Sequence, residues 1–132
     1  MNKKWPDVPF GGQRLAKNPI RPLGNAYAKK SSALGRTLYE SGKFEIILVS
    51  GRQERFRKVT ETWLAWHEIP FGPLLMRADN DQRPDSEVKQ DILNSLKAQG
   101  KQILFTVDDR QSVVDMWRAN GITCLQCQKG NY

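Results

Sequence analysis

The sequence predicts an α/β fold built on a mainly parallel sheet. Three observations point there. Residues 44–49 (Phe-Glu-Ile-Ile-Leu-Val) and 103–107 (Ile-Leu-Phe-Thr-Val) are short apolar runs rich in β-branched and aromatic residues, the composition of buried strands. Segments with helical spacing separate the apolar runs. The intervening lengths leave room for the crossover connections that parallel neighbours need.

Each element has its own signal. Residues 1–28 hold Pro6, Pro9, Pro19 and Pro22 and sustain no period of 2 or 3.6, so they read as loop. Leu34 and Leu38, with a stop at Gly42, predict a helix over about residues 31–41. The run 44–49 is a strand that feeds the polar turn Ser50-Gly51-Arg52. Phe56, Val59, Trp63 and Trp66 share a helical face across 53–67, with His67 at the helix end. Leu74-Leu75-Met76 is a short strand. Asp85-Ser86-Glu87 is expected to cap a helix that runs to about Gln99, with Val88, Ile92 and Leu96 on one face and Gly100 as its stop. The strand 103–107 ends at Asp108-Asp109. A helix over 112–119 closes at Gly121, and residues 122–127 form a last strand.

The chain has 132 residues, 39% of them apolar, which fits one domain with a modest core. No apolar run approaches the roughly 20 residues that cross a bilayer, and the N-terminus carries no apolar segment of a secretory signal. Two cysteines do not make a disulfide framework. A cytoplasmic, reduced protein with no membrane partner is expected. The net charge of +7 is unevenly placed: residues 1–43 carry nine Lys/Arg against Asp7 and Glu40, and the rest of the chain is balanced. Residues 1–30 therefore read as a basic, irregular arm and 31–132 as the folded domain. Such an arm suits phosphate backbones, although a solvated tail has the same composition. Trp5 is its candidate for base stacking.

Asp108-Asp109 is the sharpest chemical feature. Two adjacent carboxylates leaving an apolar strand repel each other unless a cation or shared proton compensates, and oxygen-only ligands favour Mg²⁺. The alternative is that one of them caps the following helix. At Ser50-Gly51-Arg52, a hydroxyl, backbone N–H groups and a guanidinium suit a phosphate oxygen, though a plain turn has the same residues. Lys89 reads in isolation as an exposed helical lysine.

Taken in order, the strand ending in Ser50-Gly51-Arg52, then Arg83-Pro84-Asp85 with Val88-Lys89, then the strand ending in Asp108-Asp109-Arg110, resemble the haloacid dehalogenase superfamily. More narrowly, they resemble the 3′-phosphatase domain of phage-type polynucleotide kinase/phosphatase. The resemblance spans about Ser31 to the C-terminus and is most specific from Phe105 to Arg118. It implies a three-layer α/β/α, Rossmann-like sandwich and hydrolysis of a phosphomonoester, most specifically a nucleic-acid 3′-phosphate, with Mg²⁺. It implies that Ser50 binds the phosphoryl group, with Gly51, Arg52 and Arg83 on the nucleic-acid side. Lys89 would neutralise charge, and Asp108 and Asp109 would hold Mg²⁺. The four residues Ser50, Lys89, Asp108 and Asp109 are expected at one sheet edge.

The family's first motif, an apolar strand followed by Asp-x-Asp-Gly-Thr, carries the nucleophile and the general acid/base. No such run occurs in the 132 residues. Asp7 stands before Ser50, but Pro9 replaces the second aspartate. The first strand is therefore expected to be missing. The expectations are an incomplete or inactive phosphatase, completed by an upstream segment or a kinase domain elsewhere, or alternatively a non-catalytic phosphate or nucleic-acid binding module. No Gly-x-x-x-x-Gly-Lys-Ser/Thr encodes a kinase here. Cys124 and Cys127 read as free thiols. A single histidine, His67, leaves histidine-dependent triads without support. Trp63, Trp66 and Trp117 read as packing residues.

Overall fold

The computed structural model describes residues 25–130. The basic arm read over residues 1–30, together with Asp7 and Trp5, lies largely outside that range. The chain divides between Asp79 and Asn80 into two compact units.

The first unit contains α1 (Asn25–Glu40), β1 (Leu48–Gln53), a short 3₁₀ turn (Glu54–Phe56), α2 (Arg57–Trp66) and β2 (Leu74–Arg77). α1 begins six residues before the helix expected at residue 31, because Ala-Tyr-Ala-Lys-Lys are competent helix formers with no breaker among them. β1 and β2 run parallel, with α2 in the connection between them. The ladder starts at Leu48, not at Phe44. Gly72 N–H donates to the Ile46 carbonyl at 2.6 Å and Leu48 N–H to the Pro73 carbonyl at 3.0 Å, so the partner strand sets the starting point. Gly72 is required at this approach: a Cβ there would lie 2.9 Å from the Ile46 carbonyl oxygen. Pro73 has no N–H to return, and regular pairing begins at Leu74.

The second unit contains α3 (Asp85–Ala98), β3 (Thr106–Arg110), α4 (Gln111–Ala119) and β4 (Cys124–Gly130), with β3 and β4 parallel. Its core joins Leu93 of α3, Val113, Val114 and Trp117 of α4, Ile122 and Cys124, with Ile103 and Met116 packed against them. Leu93 is fully buried, whereas Ile92, assigned to the core face from the sequence, is only half-buried. The glycine stops take left-handed φ values, +80° at Gly100 and +76° at Gly121, where a side chain would be strained. β3 begins three residues later than the apolar run that predicted it, because its partner β4 begins only after Thr123. Ile122 N–H bonds back to the Trp117 carbonyl instead.

The four described strands thus form two parallel pairs of the α/β class expected. Among the described residues no helix is long and apolar enough to cross a membrane.

Candidate functional site

Both clusters of candidate residues sit on irregularities in their ladders. In the first unit, Ser50 pairs with Met76 and the next pair is Gln53 with Arg77, so Gly51 and Arg52 form a bulge. In the second, Asp108 pairs with Gln126 and the next pair is Arg110 with Gly130, which leaves Asp109 out of register. The sequence placed these residues just past the strand ends; they lie within the strands. Bulges re-aim side chains and are over-represented beside active sites.

At the first bulge, the Arg52 N–H donates to Ser50 Oγ at 3.1 Å, which leaves the hydroxyl proton available to donate. Arg77 Nε donates to the Gly51 carbonyl at 2.6 Å and ties β2 to the bulge. The Arg52 guanidinium lies 5.4 Å from the Phe56 ring centre. Both of its terminal nitrogens are buried and have no hydrogen-bond partner among the described residues, and burial lowers its pKa. A buried donor without an acceptor is costly, so an anion at this point would relieve the cost.

The second bulge is better held. Lys89 is one of two buried polar residues among those described, 8% exposed, on the core face of α3, and not the exposed lysine that isolated reading gives. Its Nζ lies 3.3 Å from Asp108 Oδ2, with the two side chains only 10% and 13% exposed. Trp117 Nε1 donates to the same Oδ2 at 3.3 Å. Asp108 Oδ1 accepts the Asp109 N–H at 2.9 Å. Backbone carbonyls are pinned from β4: Cys127 Sγ contacts the Asp108 oxygen at 3.4 Å and Gln126 Nε2 donates to the Asp109 oxygen at 3.1 Å. Neither aspartate is the N-cap of the helix that follows: that residue is Arg110, whose side chain makes no capping hydrogen bond. Asp85 is likewise not a cap, since Pro84 holds that position; Asp85 pairs with Arg110 at 3.0 Å.

Arg83 is held by two carboxylates, Asp81 at 2.8 Å and Asp91 at 2.7 Å, which raise its pKa. Cys124 and Cys127 are free thiols, the first buried and the second exposed. Burial is the main cause that raises the Cys124 pKa. His67 ends α2 beside Trp63, ring centres 4.3 Å apart, and burial lowers its pKa.

The structure therefore brings Lys89 and Asp108 together as expected, with Asp109 adjoining; Ser50, Gly51 and Arg52 belong to the other unit. Sequence reasoning missed Trp117, Gln126 and Cys127 as neighbours of the aspartates. The available signal was the β4 register, which sets Gln126 opposite Asp108. Among the described residues, no group of three or more His, Cys, Asp or Glu is poised around a metal. The donor set at Asp108-Asp109 still fits Mg²⁺, which binds through one or two carboxylates and fills its octahedron with water and substrate oxygens.

Comparison with known proteins decides the family. Residues 23–132 match the family described as the polynucleotide kinase PNKP phosphatase domain. The chain belongs to that family. A solved chain from the Pnkp1/Rnl/Hen1 complex is 32% identical with a TM-score of 0.74, covering 79% of this chain and 36% of that one. Another, from the Pnkp1/Rnl/Hen1 RNA repair complex, is 35% identical with a TM-score of 0.70, covering 76% and 32%. This PNKP-type phosphatase domain thus spans about a third of the length of those solved chains. Its fold is the haloacid dehalogenase-like α/β fold they share.

Proposed function

We propose that this domain serves the removal of 3′-phosphate from nucleic-acid ends, supplying groups that bind the phosphoryl moiety and Mg²⁺. The observation that carries the reading is the buried Lys89–Asp108 pair at the ladder irregularity of β3. An ammonium has three donors, and Asp108 accounts for one, so the others can meet phosphoryl oxygens. Asp108 and Asp109 would hold Mg²⁺, whose charge would offset the phosphate and make phosphorus more electrophilic. In the first unit, Ser50 Oγ would offer its proton to a phosphate oxygen. In the same unit, the Arg52 guanidinium, without an acceptor among the described residues, would offer a contact to an anion, and the resemblance gives Gly51 and Arg83 to the nucleic-acid side. The proposed partners are nucleic-acid 3′ ends, the setting is the cytoplasm, and RNA repair is the context in which the Pnkp1 relatives were solved.

A second reading, a phosphate-binding module without catalysis, is favoured by one observation: no Asp-x-Asp-Gly-Thr run occurs in the 132 residues. Both readings predict recognition of the phosphorylated end. Fluorescence anisotropy with Mg²⁺ should show tighter binding to a 3′-phosphorylated oligonucleotide than to the same oligonucleotide with a 3′-hydroxyl. Asp108→Asn should remove the difference. Equal affinity for the two ends would overturn the proposal.

A further inference from the structure

Trp117 is a core residue by its burial, 4% exposed, yet it has a polar function in the fold. Its indole N–H points at Asp108 Oδ2 at 3.3 Å, beside Lys89 Nζ at 3.3 Å on the same oxygen. A carboxylate oxygen has two lone-pair sites, so these two donors fill Oδ2. Among the described residues Oδ1 accepts one donor, the Asp109 N–H at 2.9 Å, and keeps one site open. We propose that Trp117 is a positioning residue whose indole N–H, acting with Lys89, commits Asp108 Oδ2 to the protein and leaves Oδ1 as the oxygen offered to the cation. This rests on the reading of Asp108 as a Mg²⁺ ligand.

The geometry supports an orienting function over simple packing. Lys89 has a flexible stem, and its ammonium can swing about the carboxylate. The indole cannot: its ring is locked in the core with Leu93, Val113, Val114 and Ile122. A rigid donor fixes the carboxylate plane, and a fixed plane spares a cation the cost of ordering it. Partners that orient a metal ligand typically contribute about 10- to 100-fold in affinity or activity.

The test is a Mg²⁺ titration of the full 132-residue chain followed by ¹H–¹⁵N NMR, read at the Asp109 amide. The Trp117 indole resonance is assigned as the one missing from Trp117→Phe. Because Trp117→Phe leaves a void, the decisive variant replaces Trp117 by benzothienylalanine, which keeps the ring shape and lacks the N–H. A site-specific 5-fluorotryptophan, which keeps the N–H, is the rescue. Half-saturation by Mg²⁺ should move up about 10-fold in the benzothienyl variant, and 5-fluorotryptophan should restore it. A folded benzothienyl variant that saturates at the wild-type Mg²⁺ concentration overturns the assignment of Trp117 alone. If Mg²⁺ shifts no resonance near Asp108 in the wild type, the cation reading falls and this inference with it.

Discussion

Lys89 shows how one residue ties folding to chemistry. Burying an ammonium costs several kcal/mol unless a partner offsets it, and the described partner is Asp108. Removing one charge of such a pair strands the other. Lys89→Met should therefore lower stability by about 3 kcal/mol in urea unfolding. Lys89→Met with Asp108→Asn should recover most of that loss, because no buried charge is left and the amide oxygen still accepts from Trp117. Additive losses in the double variant would mean that the two side chains do not depend on each other.

Elements were legible wherever one signal sufficed. The alternation of apolar runs and helical segments gave the α/β class, and Gly42, Gly100 and Gly121 marked helix ends with φ of +70°, +80° and +76°. Strand limits were less legible, because a strand begins where its partner can pair. Neither Pro73 nor the bond from Ile122 back to Trp117 is visible as a pattern in β1 or β3. The bulges were hidden for the same reason: register belongs to two strands at once. Ser50 and Asp108 were legible as chemistry, while Trp117 was read as packing alone, since burial and hydrogen bonding leave the same mark in a sequence. Gly72 offers a test at this scale. Gly72→Ala pushes a Cβ to within 2.9 Å of the Ile46 oxygen and disturbs the start of the β1–β2 ladder. Thermal unfolding should show a loss of roughly 1–3 kcal/mol, typical of overpacking. An unchanged melting temperature would show that the loop relaxes freely.

Across the whole molecule, charge and sequence point the same way. The excess of +7 falls within residues 1–43, so attraction to a polynucleotide should be generic and should weaken as salt rises. On the proposed reading, discrimination of a phosphorylated end comes instead from placed groups such as Lys89, Asp108 and Arg52. On the same reading, binding and turnover separate, because Lys89, Asp108 and Arg52 would hold phosphate while no Asp-x-Asp-Gly-Thr run occurs in the 132 residues. The most direct measurement is inorganic phosphate release from a 3′-phosphorylated oligonucleotide by the purified 132-residue chain with Mg²⁺, beside its Asp108→Ala variant. The account predicts release no faster than the variant's, from an oligonucleotide that is nonetheless bound. Multiple turnovers that Asp108→Ala abolishes would contradict it and place a nucleophile within this chain, with Asp7, Asp81 and Asp85 the first to be substituted.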